Sequence, residues 1–164
     1  MDQDEQEKAR QKAYRLLALR SHSEWELAAK LRSCGFPESA ITDALTRCRE
    51  LGYLDDGRYA RQRARELAVN RLLGDRRFAA DLMAKGIPAD LGREAIAAAR
   101  EELGAAEAVD RLLTKKGAAK PEALDGRGRE KLIRGLLGKG FPRGLVFQRL
   151  KSTKEDGVHD DDGE

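Results

Sequence analysis

The sequence is short of the residues from which most enzyme sites are built. Only two cysteines and two histidines occur in 164 residues. Cys34 and Cys48 stand without the nearby histidines that a four-ligand zinc site would need, and a cytosolic chain gives them no reason to pair. Cys34 falls on the apolar face of its helix and reads as a small core residue. His22 stands beside a helix cap and His159 in an acidic stretch, each without a ligand or nucleophile at a recognisable spacing. A phosphate loop is also missing: Gly135-Leu-Leu-Gly138-Lys139-Gly140 has the wrong spacing and sits where a helix belongs. No catalytic residue, metal or cofactor is expected.

Other shortages bound the fold and the compartment. Aromatic residues make up 5% of the chain, while much of its 40% apolar fraction is Ala and Leu, which propagate helices better than strands. An all-β fold is excluded. The longest apolar runs are as short as Ala95 to Ala99, far below the roughly 20 residues of a membrane-spanning helix. The opening Met-Asp-Gln-Asp-Glu-Gln-Glu has neither the basic nor the apolar region of a secretory signal. A soluble, cytoplasmic protein without a membrane partner is the expectation.

What is abundant is charge, and it is segregated. The chain is 37% charged with a formal net charge of +3. Residues 1–7 hold four acids and no base, and residues 151–164 hold two bases against six acids, so each end is −4 and residues 8–150 carry +11. Arg outnumbers Lys by 21 to 11, and a guanidinium forks onto a phosphate or carboxylate where an ammonium is a point charge. A polyanionic partner follows, either nucleic acid or an acidic protein surface. The run Asp160-Asp161-Asp162 reads as a solubilising tail rather than a cation site.

A repeat organises the body. Leu27-x3-Leu31-x3-Gly35-Phe36-Pro37 recurs as Phe78-x3-Leu82-x3-Gly86-Ile87-Pro88 and as Leu132-x3-Leu136-x3-Gly140-Phe141-Pro142, with a further apolar residue ten positions after each Gly. Apolar residues every fourth position line one helix face, Gly supplies a left-handed closing residue, and Pro opens the next helix. A third helix precedes each pair. The first spans 8–20 with Ala13, Leu16, Leu17 and Leu19, before Ser21 or Ser23 caps the next helix. The second runs from a cap at Asp55 or Asp56 to about 73, with Gly74 at its end. The third spans 104–115 with Ala108, Val109 and Leu112 inward. Gly135, Gly138 and Gly144 are expected to interrupt the helices of the last repeat.

The expected fold is all-α: three tandem three-helix repeats in an elongated, curved array. The boundaries are an acidic N-terminal tail 1–7, repeats 8–54, 55–103 and 104–151, a flexible connector 116–128 inside the third, and an acidic disordered tail 152–164. A concave array of this kind suits a long partner better than a small ligand.

The block Gly52-Tyr53-Leu54-Asp55-Asp56-Gly57-Arg58-Tyr59-Ala60 carries a family resemblance. Arg20-Ser21-His22-Ser23 with Glu26-Leu27 and Lys30-Leu31 lies upstream of it, and Gly74-x2-Arg77-Phe78-x3-Leu82-x2-Lys85-Gly86-Ile87 downstream. Together they resemble the RecX regulatory proteins of bacteria over roughly residues 8–150, most specifically in the first two repeats. The resemblance implies a non-enzymatic modulator of the RecA recombinase that lies in the groove of the RecA filament on single-stranded DNA. Its expected effect is to restrain ATPase, strand-exchange and coprotease activities, with single- and double-stranded DNA as further partners. It implies no catalytic residue. A filament-groove ligand can act as a monomer. The alternative is a sequence-tolerant DNA-binding helical array acting directly on nucleic acid, and a third reading is a scaffold for an acidic protein.

Helical geometry supplies candidate contacts. On a 100° wheel, Arg58, Arg61 and Arg65 share one face and Ala60, Ala64 and Leu67 the other, with Glu66 the only acid between Arg58 and Gly74. Arg76, Arg77 and Lys85 follow in the next helix, and Arg10, Lys12 and Arg15 lie in the first. Trp25 points away from the Leu27, Leu31 and Cys34 stripe, either as a protein-contact anchor or packed on a neighbouring helix of its own repeat. Tyr53 and Tyr59 are expected to hold the joint between repeats. With so few aromatics, charge and surface shape rather than base stacking should dominate binding.

Overall fold

A computed structural model describes residues 2–155. Those residues form nine α-helices and no strand: α1 Asp2–Leu19, α2 Glu24–Ser33, α3 Glu38–Glu50, α4 Asp56–Arg65, α5 Asp75–Ala84, α6 Ala89–Glu102, α7 Ala105–Lys115, α8 Gly126–Gly138 and α9 Arg143–Glu155. The chain is all-α, as its Ala and Leu content implies. The acidic residues 2–7 are the opening turns of α1, where Asp2, Asp4 and Glu5 face the positive end of the helix dipole. Of the acidic tail 152–164, residues 152–155 continue α9 and the remainder, with His159 and Asp160 to Asp162, lies outside the described residues.

The three repeated turns have the geometry that their sequence dictates. Gly35, Gly86 and Gly140 take φ of 87°, 71° and 97°. Each donates its N–H to the carbonyl three residues back, at 3.0 Å in all three turns. The next residue reaches five back: Phe36 to Leu31 at 3.4 Å, Ile87 to Leu82 at 3.1 Å and Phe141 to Leu136 at 3.4 Å. This pair of bonds closes orphan carbonyls at the helix end while folding an apolar side chain back onto the last turn.

Two compact units divide the chain. One comprises residues up to Arg63 with Asp81–Ala95, the other Ala64–Ala80 with the residues from Ile96 on. In the first unit α1 lies along α3, with Ala9, Ala13, Ala40 and Ala44 all buried, so that small side chains permit close approach of the two helices. Leu27 and Leu31 of α2, Ile41, Cys48 and Leu54 complete that core. The second unit is built on Val109, Leu112 and Leu113 of α7, Leu132 and Leu136 of α8, and Phe141, Val146 and Leu150, joined by Leu72 and Leu103.

Several expectations are corrected. Cys34 is exposed and Cys48 is the buried thiol, because Cys34 is the C-cap of α2 and turns out of the stripe as the helix closes. Leu19 is 82% exposed, because it is the last residue of α1. The helix from Asp56 does not run on to Gly74. Beyond Arg65 it widens into a π-helical turn, Glu66–Asn70, in which Arg71 N–H donates to Glu66 O at 3.1 Å, and Leu72 then takes φ 53°. Gly74 serves a close backbone approach: a Cβ there would lie 2.2 Å from the Gly140 carbonyl carbon, and its N–H donates to Lys139 O at 2.8 Å. Gly135, Gly138 and Gly144 lie within α8 and α9 rather than breaking them. Residues 116–128 contain a 3-10 turn, Pro121–Ala123, with Ala118 and Pro121 buried. Their last three residues open α8, where the Asp125 carboxylate accepts from Gly128 N–H at 2.7 Å.

Candidate interaction surface

Local rules first fix a buried polar knot in the first unit. Ser23 caps α2: its hydroxyl oxygen accepts from Glu26 N–H at 3.1 Å, and Glu26 Oε2 accepts from Ser23 N–H at 3.2 Å. This is the capping box expected of a Ser three residues before a Glu. Ser23 also donates its hydroxyl to Lys85 O at 2.6 Å, Lys85 Nζ stands 3.1 Å from Glu26 Oε1, and Arg20 reaches both Glu26 oxygens at 3.3 Å. Burial by itself raises the Glu26 pKa. The bonds from Arg20, Lys85 and the Ser23 backbone outweigh it and bring the carboxyl to about 2.

His22 is buried beside this knot, with Nδ1 2.9 Å from Arg20 O and Nε2 2.9 Å from Lys30 Nζ. Desolvation and the neighbouring cations hold its pKa below the usual imidazole value. An Nδ1–H donor and an Nε2 acceptor satisfy both contacts only when the ring is neutral.

The candidate cations divide by what they touch. Arg10 forks onto Asp43 at 2.6 and 2.8 Å, Arg65 onto Glu102 at 2.7 to 3.0 Å, and Lys85 belongs to the Glu26 knot. All three are neutralised, although none by an acid three or four residues away. Arg58 is exposed and donates its guanidinium to Gly52 O at 2.8 Å, a backbone partner that leaves its charge uncompensated by an ion pair. Arg61 is exposed, and with Arg58 it helps hold the Asp55 carboxyl below its ordinary pKa, chiefly through the Arg58 backbone N–H. Lys12, half-buried, and Arg15, exposed, form no ion pair among the described residues. In the second unit Arg76 is exposed, and Arg77 donates to Gly138 O at 3.1 Å.

Exposed apolar surface gathers near Arg58. A groove of about 640 Å³ is lined by Tyr14, Leu17, Ser21, Leu51, Tyr53 and Arg58, among others. Tyr53 is 54% exposed and meets Tyr14 edge-on, ring centres 5.9 Å apart. Tyr59, by contrast, is buried. Trp25 is 57% exposed, and its Cβ abuts Gly86 of the second repeat rather than a helix of its own, since a Cβ added at Gly86 would come within 2.4 Å of it. The groove, the burial of His22 and the cations around Lys139 have no counterpart among the contacts expected from helical geometry. A signal existed for the last, since Lys139 occupies the cap position before the repeat Gly that Cys34 and Lys85 hold in the other copies.

Among the described residues no cluster of His, Cys, Asp and Glu could hold a metal, and no described helix is long and apolar enough to cross a membrane. The models of the first and second RecX three-helix domains match residues 9–48 and 55–96. The regulatory protein RecX of Syntrophotalea carbinolica is 34% identical over 144 residues, covering 87% of this chain and 94% of the relative. The chain belongs to the RecX family. A RecX of Thermus thermophilus is likewise 34% identical, over 88% of this chain and 92% of its own. In fold, the crystal structure of RecX from Lactobacillus salivarius superposes with a TM-score of 0.79 at 22% identity, over 93% of this chain and 98% of that one. The name that RecX relatives carry is that of regulatory proteins. Arg10, Lys12, Arg15 and Trp25 fall in the first matched RecX domain, and Arg58, Arg61, Arg65, Arg76, Arg77 and Lys85 in the second.

Proposed function

We propose that this RecX protein is a non-enzymatic cytoplasmic regulator that binds the RecA–DNA filament as a monomer and restrains its ATPase, strand-exchange and coprotease activities. The observation that carries this reading is the groove of the first unit. It combines two tyrosines and exposed leucine surface with an arginine whose guanidinium bonds a backbone carbonyl and forms no ion pair. Tyr and Arg supply a disproportionate share of binding energy at protein interfaces, and the groove contains no nucleophile with a base beside it. A contact surface, not a reaction centre, fits that chemistry.

The reading is tested by ATP hydrolysis of RecA on single-stranded DNA with stoichiometric protein added. Hydrolysis should fall, and the Tyr53→Ala/Arg58→Gln variant should need at least tenfold more protein for the same effect while keeping its circular dichroism. Unchanged hydrolysis, with the filament shown to form, would reject the reading. The second reading, direct action on DNA, is favoured by the +11 charge of residues 8–150. It predicts tight binding to naked DNA that weakens steeply with salt.

A further inference from the structure

In the second unit five arginines are matched by carboxylates, four of them across or along its core helices. Arg65 holds Glu102, Arg100 holds Asp75, Arg111 holds Glu107 and Arg149 holds Asp110. The last turn of α8 departs from this pattern. Lys139 caps it, Arg77 donates to its Gly138 carbonyl at 3.1 Å, and Lys116 reaches to 3.9 Å from where a Cβ would stand on Gly135. Lys115 precedes Lys116 at the end of α7. Lys115, Lys116 and Arg77 are exposed, Lys139 is half-buried, and none of the four forms an ion pair among the described residues.

One cation suffices to complement the roughly half negative charge at a helix C-terminus. Four exceed it, and their mutual repulsion is real. Burial first, and then Lys116, Lys115 and Arg77, push the Lys139 pKa below the ordinary lysine value. The two glycines expected to interrupt α8 have a consequence here. A Cβ placed on Gly138 would meet nothing within 4 Å, so the helix surface is open there, and at Gly135 only the Lys116 ammonium comes as near as 3.9 Å.

We propose that Lys115, Lys116, Lys139 and Arg77 form a docking site for the sugar-phosphate backbone of single-stranded DNA. A lone phosphate is a poor fit, because the nearest backbone groups are the carbonyls of α8, which repel an anion held close. Long side chains reaching outward from three elements suit an extended polyanion that several of them can touch at once. The site lies outside the Tyr53 groove and rests on the proposed function only for the choice of single-stranded DNA.

The test is the anisotropy of a fluorescein-labelled 30-mer of oligothymidine, titrated with the full chain between 50 and 200 mM NaCl. Loss of two phosphate contacts in Lys116→Gln/Lys139→Gln should make the salt slope shallower by about 1.4 and weaken binding about 25-fold at 0.1 M salt. Lys8→Gln/Arg111→Gln removes the same charge from cations paired with Asp4 and Glu107, and should cost less than threefold. Equal losses in the two variants, an unchanged slope, or no binding by the unaltered protein would overturn the site. So would intact DNA binding with loss of RecA inhibition, which would assign the cluster to an acidic protein surface. Because DNA affinity is read without RecA, the result is separable from the fate of the filament reading.

Discussion

Replacing Glu26 by Gln probes how the first unit is held together. The amide keeps the shape of the carboxylate and can still accept from Ser23 N–H, but it removes the negative charge shared by Arg20 and Lys85. The displacement of the carboxyl from 4.5 to about 2 corresponds to about 3 kcal/mol of preference for the charged form in the folded state. Lys85 and Arg20 regain hydration when released, so a loss of about 2 to 3 kcal/mol is expected at pH 7. Urea unfolding followed by fluorescence of Trp25, the single tryptophan, reports on this unit.

The sign follows from the direction of the displacement. A depressed carboxyl contributes fully above its unfolded value and loses that contribution as pH falls through the folded one. The difference between wild type and Glu26→Gln should therefore shrink between pH 4.5 and about 2. A difference below 1 kcal/mol at pH 7, or one that stays constant on acidification, would refute the reasoning.

Other perturbations have equally definite outcomes. Neutral His22 should make stability fall as pH drops below about 6.5, since the unfolded state then binds the proton more readily; the slope across that range should vanish in His22→Gln, measured by the same urea unfolding. Gly74→Ala places a methyl 2.2 Å from the Gly140 carbonyl carbon, and should lower the thermal midpoint by several degrees in circular dichroism, a cost of about 2 kcal/mol or more. Under native conditions a thiol reagent should label Cys34 and spare Cys48, whose burial raises its pKa, until denaturant is added; mass spectrometry of the labelled peptides reads the result.

Much of the fold was legible because it is written in local rules. The Gly-apolar-Pro turns specify a helix stop, a left-handed residue and a helix start within three positions, and all three occur at Gly35, Gly86 and Gly140. Ser23 and Glu26 announce their capping box in the same way. The interaction surface was less legible because neutralisation is a tertiary property. Arg10 and Asp43 are 33 residues apart and Arg65 and Glu102 are 37 apart, so charge bookkeeping at three or four positions leaves them looking free. The role of Gly74 was hidden for the same reason, since its neighbour is a backbone 66 positions away rather than its own helix end. Cys34 was misplaced because a helical wheel assumes that the helix continues through its cap.

Engagement of the RecA filament by this RecX protein can be read from co-sedimentation with RecA assembled on single-stranded DNA, with the same DNA alone as control. The wild-type protein should pellet with the filament at defined stoichiometry, and the Tyr53→Ala/Arg58→Gln variant should remain largely in the supernatant. Recovery of the wild-type protein in the supernatant, while RecA and DNA pellet, would contradict that engagement.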